Sequence, residues 1–167
     1  MQDSLSAALA STHLAPPPSS PTTTPSGKSL PTTLTRSYNI LGIPTDAYCQ
    51  VFEERIVVGV TQLNLKIGNY VFCQASKSPV DQSVDFHIDT LLGNRDEAML
   101  GVYARRITER LIQLQARDPM VVLLGISLKG GGKNPNMFRY VVEAIVQLIC
   151  DALKVAASGQ ENWEALD

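Results

Sequence analysis

The stretch "MVVLLGISL", Met120 to Leu128, is apolar at almost every position. It shows neither the two-residue alternation of a half-buried strand nor the three-to-four spacing of a helix. Pro119 precedes it and three glycines, Gly130 to Gly132, follow it. A short apolar run bounded in this way reads as a strand buried on both faces. "RIVVGVTQ", Arg55 to Gln62, has the same character. "NYVFCQA", Asn69 to Ala75, likewise sets Val71 and Cys73 opposite Tyr70 and Phe72. The middle of the chain therefore predicts a sheet whose central strands are apolar on both sides.

Outward from these strands the pattern changes in recognisable ways. After Leu128, "KGGGKNPN" (Lys129 to Asn136) is a strand-to-helix loop. Asn134 is placed to cap the helix and Pro135 to open its first turn. Phe138, Val141, Ile145, Leu148 and Ala152 then share one helical face. Upstream, Leu100, Tyr103, Ile107, Leu111 and Leu114 predict another amphipathic helix, with Asn94 or Asp96 as its cap. "TDAYCQVF" (Thr45 to Phe52) and "RIVVGVTQ" form a hairpin whose loop includes Phe52 and Arg55. "VDFHIDTLL" (Val84 to Leu92) alternates cleanly, with Val84, Phe86 and Ile88 on one side. The predicted fold class is α+β: a mostly antiparallel sheet of five to six strands, two helices on one face, in the order ββββαβα.

Two helices cover one face of such a sheet, and the other face should then be polar. Only the Val84–Leu92 strand meets that condition. Leaving about five Val, Ile, Leu or aromatic side chains in water would cost about 10 kcal/mol, comparable to the stability of a domain. The expectation is a dimer built through the sheet face.

The chain has 167 residues, 44% of them apolar, and a formal net charge of −2. That length suits one domain. The charge leaves no clustered basic surface for nucleic acid, and no apolar run is long enough for a membrane span. The three cysteines, Cys49, Cys73 and Cys150, are widely spaced, and with two histidines they predict no structural zinc. Residues 1–35 hold six of the ten prolines among Ser and Thr, a composition that predicts a disordered tail. With no arginine before Arg36 it is not read as a targeting peptide. The folded domain is expected over 36–157, with a flexible C-terminal tail over 158–167 in which Trp163 is able to dock.

Candidate chemistry is sparse. A phosphate-binding P-loop ending at Gly132-Lys133 needs glycine at 127 and Ser or Thr at 134, where the chain has Ser127 and Asn134. A dinucleotide fingerprint fails as well, so the loop is read as a mobile connection whose basic tip, Lys129 and Lys133, suits an acidic partner. Asp85, His87 and Asp89 lie at steps of ~7 Å along one strand face, too spread to converge on one ion. No nucleophile triad is signalled, so the chain is expected to be no enzyme and to need no cofactor.

Five motifs, "GIPT" (Gly42 to Thr45), "VVGVTQ" (Val57 to Gln62), "LLGNRDE" (Leu91 to Glu97), "VYARRI" (Val102 to Ile107) and "VVLLGISLK" (Val121 to Lys129), occur in an order that resembles the proteasome assembly chaperone three family. The likeness spans roughly Gly42 to Leu153. It implies a non-enzymatic chaperone of the 20S proteasome in the cytoplasm or nucleus. Such proteins dimerise with themselves or with a companion fourth chaperone of similar fold, and hold alpha-type subunits while the alpha ring forms. The family's partner loop corresponds here to Ser76–Ser83, which puts Lys77, Pro79 and Asp81 forward as contact residues. The alternative is a dimeric scaffold or adaptor module unrelated to the proteasome.

Overall fold

A computed structural model describes residues 30–78, 80–81, 83–95, 97–116 and 120–164, with side chains to residue 158. Six strands form one sheet: β1 (Thr32–Ile40), β2 (Ile43–Val51), β3 (Ile56–Thr61), β4 (Asn69–Lys77), β5 (Val84–Leu92) and β6 (Met120–Ser127). Their spatial order is β1-β2-β3-β6-β4-β5. Every pairing is antiparallel except the central one, where β3 and β6 run parallel. Helix α1 (Ala98–Gln113) packs on β4, β5 and β6, and α2 (Pro135–Glu164) on β1, β2 and β3. Both helices lie on one side, as expected.

The core between helices and sheet follows from alternation along each strand. Ile56, Val58 and Val60 of β3, and Met120, Val122, Leu124 and Ile126 of β6, point toward the helices and are buried. Leu100, Tyr103, Ile107 and Leu111 of α1 meet them, as do Val141, Ile145, Leu148 and Ala152 of α2. Leu114 does not join this face. It lies just past the end of α1, where the backbone leaves the helix, and is exposed. The cap of α1 also departs from expectation: Glu97 holds that position and its side chain makes no capping hydrogen bond. Asp96 falls outside the described residues. At α2 the expected cap is present, with Asn134 Oδ1 accepting from Asn136 N at 2.9 Å and Met137 N at 3.3 Å.

Strand β1 was not expected, so the order is βββββαβα. It begins at Thr32, four residues inside the segment whose composition reads as tail. Its Leu34, Tyr38 and Ile40 face the helices, and the Tyr38 hydroxyl donates to the Ala144 carbonyl of α2 at 3.3 Å. Pairing with β2 supplies what its Thr-rich sequence does not advertise. At the other end, α2 continues to Glu164, beyond the boundary expected at 157. Residues 1–29 and the Trp163 side chain lie outside what is described.

The loop Lys129–Gly132 is not a slack connection. It forms a tight left-handed turn in which Gly130, Gly131 and Gly132 all have φ between 65° and 67°. Side chains rarely adopt that backbone region. A Cβ on Gly132 would sit 2.8 Å from both Leu128 Cδ1 and the Tyr103 hydroxyl, which itself donates to Gly132 O at 2.9 Å. A Cβ on Gly130 would meet nothing within 4 Å. Gly130→Ala is therefore expected to cost about 1 kcal/mol, from backbone strain alone. Gly132→Ala should cost about 3 kcal/mol, because strain and the displaced Tyr103 hydrogen bond add. Urea unfolding of the two variants checks this; equal losses would mean that the loop is not packed against α1.

Candidate interaction surface

The side of the sheet away from the helices is built in register across five strands. Gln50, Val57, Leu123, Phe72 and Asp89 form one row from β2 to β5, and Tyr48, Gly59, Gly125 and Tyr70 form the next. Tyr48 and Tyr70 stand on strands three spacings apart, roughly 14 Å. The two positions between them are glycines, and each ring lies over one of them, so the phenols reach toward each other. A Cβ on Gly59 would lie 2.2 Å from Tyr48 Cε1, and one on Gly125 would lie 3.0 Å from Tyr70 Cε1 and from Ile67 Cγ2. The Tyr48 phenol is pushed up to about 12, first by burial and then by its hydrogen bond with Tyr70. Glycine inside an apolar strand thus marks a close approach of side chains from neighbouring strands.

Tyr48, Val57, Tyr70, Phe72, Val121 and Leu123 are each half-buried in the single chain. The apolar face is less bare than its sequence implies, since its aromatic rings and Ile67 shelter the backbone and one another. The cost of leaving it in water falls accordingly below the expected 10 kcal/mol. Its anatomy is an aromatic and aliphatic centre with a polar border of Thr33, Thr35, Gln50, Gln74, Asp85 and Asp89, the composition that marks protein-binding patches. The six strands contribute three carboxylates to this face, Asp46, Asp85 and Asp89, and no lysine or arginine. His87 lies edge-on to the Phe72 ring, with centroids 6.1 Å apart.

The residues singled out from sequence do not form one site. Lys77 and Asp81 lie at the β4–β5 hairpin, whereas Lys129 and Lys133 lie past the far end of β6. Antiparallel pairing of β4 with β6 puts the length of a strand, roughly 25 Å, between the two groups. Pro79 falls outside the described residues. Asp81 is engaged locally: its Oδ1 accepts from Ser83 N at 3.1 Å and Ser83 Oγ at 2.8 Å. The Ser78 and Ser83 hydroxyls and the Ser83 backbone hold it at about 2, below the usual carboxylate range. That carboxylate shapes the hairpin tip and leaves Val80 exposed at its apex.

Among the described residues no three His, Cys, Asp or Glu side chains gather as a metal-binding group, and no helix is long and apolar enough to cross a membrane. Glu97 Oε1 sits 2.7 Å from where a Gly131 Cβ would lie, so a carboxylate occupies the flank of the glycine turn that a phosphate would need. The sequence reading missed the tyrosine pair, although Gly59 and Gly125 were its signal.

The buried titratable groups bear on stability. Burial pushes the Cys49 thiol and the Tyr103 phenol up to about 12, from ordinary values of 9.0 and 10.0. Above pH 9 the unfolded chain sheds protons that the folded chain keeps, so stability falls as pH rises toward 12. The expected slope is about 1.4 kcal/mol per pH unit for each group titrating only in the unfolded state. Urea midpoints between pH 8 and 11 test this, and Tyr103→Phe should flatten the decline above pH 10.

A sheet backed on one side by two helices, with an aromatic, polar-bordered face on the other, defines a small α+β module with one open sheet face. Its family follows from comparison. The family model for Proteasome assembly chaperone 3 matches residues 58–148, and the chain belongs to that family. It is 29% identical over 103 residues to the Bos taurus protein Proteasome assembly chaperone 3, covering 62% of this chain and 82% of that one. Its fold resembles a chain from the crystal structure of a novel chaperone complex for yeast 20S proteasome assembly, with a TM-score of 0.52 and 14% identity over 70% of this chain and 98% of the other.

Proposed function

We propose that this chain is a non-enzymatic chaperone of 20S proteasome assembly, which pairs through the open sheet face and holds alpha-type subunits while the alpha ring forms. The observation that carries this reading is the family match over residues 58–148, which spans β3 to β6, the strands at the centre of that face. The partner on the face is a companion chain of similar fold rather than a second copy. A second copy would bring three more carboxylates against Asp46, Asp85 and Asp89, and like charges across an interface cost affinity. A companion with basic residues at those positions would pair them. Binding of an alpha-type subunit must be reversible, so it rests on a modest contact that a later subunit can displace.

The test mixes the purified chain with purified alpha-type 20S subunits, alone and with the companion chaperone, and follows sedimentation. Co-sedimentation with an alpha-type subunit supports the reading. Absence of binding to every alpha-type subunit, with pairing intact, would leave a dimeric scaffold with other clients.

A further inference from the structure

The end of the sheet where β3 and β6 finish carries a surface that pairing through the open face does not use. The turn after β3 is firmly built. The Thr61 hydroxyl donates to Lys66 O at 2.7 Å and accepts from Leu63 N at 3.1 Å, and Lys66 N donates to Leu63 O at 3.1 Å. Gly68 N donates to Ser127 Oγ at 2.7 Å. This scaffold holds Leu65 in the left-handed region, at φ 62°, with 75% of its surface exposed. Leu63, 44% exposed, lies beside it. A second left-handed leucine, Leu41 at φ 53°, tips the β1–β2 turn at the same end and is also exposed. Glycine or asparagine fits such backbone with less strain, so two exposed leucines here work against local preference and against water together. Strain of this kind, fixed by surrounding hydrogen bonds, collects where a surface is used.

Lys129 joins this end directly, since its N–H donates to Gln62 Oε1 at 3.0 Å. Lys66, Lys129 and Lys133 all expose their side chains. Among the described residues the nearby carboxylates are Glu97, which lies against Gly131, and Asp46, which accepts from the Ser37 hydroxyl. The opposite end of the sheet, with Glu53, Glu54, Arg55, Lys77 and Asp81, mixes both signs.

We infer that Leu41, Leu63 and Leu65, flanked by Lys66, Lys129 and Lys133, form the surface that holds the client, and that the client presents an apolar recess bordered by carboxylates. The inference rests on the proposed chaperone function and names where the alpha-type subunit sits. Preset leucines provide the contact, and exposed lysines steer an acidic client and choose among similar ones.

The experiment measures binding of purified alpha-type subunits, one at a time, to the full chain paired with its companion. Leu65→Asn suits the left-handed backbone and should leave folding unchanged while weakening the bound subunit at least tenfold. Lys129→Glu/Lys133→Glu should weaken it at least tenfold at low salt, with the gap narrowing as salt rises. Binding of both variants at wild-type strength would overturn the inference and leave the chaperone reading standing. Failure of the wild-type chain to bind any alpha-type subunit would overturn both.

Discussion

Gln62→Leu is expected to lower unfolding free energy by up to about 3 kcal/mol, a large loss for a change that nearly conserves volume. Gln62 is buried, and its two side-chain ends serve three elements. The amide nitrogen donates to Thr45 Oγ1 at 3.0 Å and lies 3.3 Å from Met137 Sδ; the amide oxygen accepts from Lys129 N at 3.0 Å. Leucine fills the space but leaves the part-buried Lys129 N–H and the Thr45 hydroxyl without their glutamine partner, and such losses cost about 1–3 kcal/mol together. Thr45→Val alone should cost about 1 kcal/mol, because its hydroxyl also reaches Ile43 O. The double variant should then cost less than the sum, since the two residues share one hydrogen bond. A loss under 1 kcal/mol for Gln62→Leu in urea unfolding would show that water replaces the glutamine freely.

Where the sequence could be read and where it could not has a physical pattern. Strand β5 and the faces of both helices follow from periodicity, and β3, β4 and β6 from short apolar runs bounded by turn residues, because each element decides its burial within its own residues. The β2–β3 turn was legible for the same reason, and Phe52 N does donate to Arg55 O at 3.0 Å. Strand β1 was not, because Thr32 to Thr35 carry little apolar signal and their place is fixed by a partner strand. The glycine turn looked slack because sequence shows three unconstrained residues and hides Tyr103, which reaches them from twenty-nine positions upstream. The Tyr48–Tyr70 bridge was hidden likewise: only the register of four strands brings Gly59 and Gly125 between the rings. Of the partner loop, Asp81 proved to be a turn residue, a role that its hydroxyl neighbours Ser78 and Ser83 already hinted at.

On the proposed pairing through the open face, Leu123→Asp should weaken association with the companion chain at least a hundredfold while leaving the single chain folded. Leu123 stands at the centre of the open face, between Val57 and Phe72 in register. In the unpaired chain it is half-buried at the water boundary, so a carboxylate there still reaches solvent and should cost about 1 kcal/mol. In the pair the same carboxylate would be sealed among apolar groups, on a face already bearing Asp89 in its own row. A buried charge without a partner costs about 3–5 kcal/mol, which weakens association by at least a hundredfold at about 1.4 kcal/mol per factor of ten. Replacing Thr35 at the border by Asp should change pairing far less, because one border charge stays largely solvated, unlike the three carboxylates against three that a second copy would set together. Sedimentation of each variant with the companion chain, alongside urea unfolding of the variant alone, separates an interface effect from a folding effect. If Leu123→Asp pairs as tightly as the wild type, the open face is not where the chains meet.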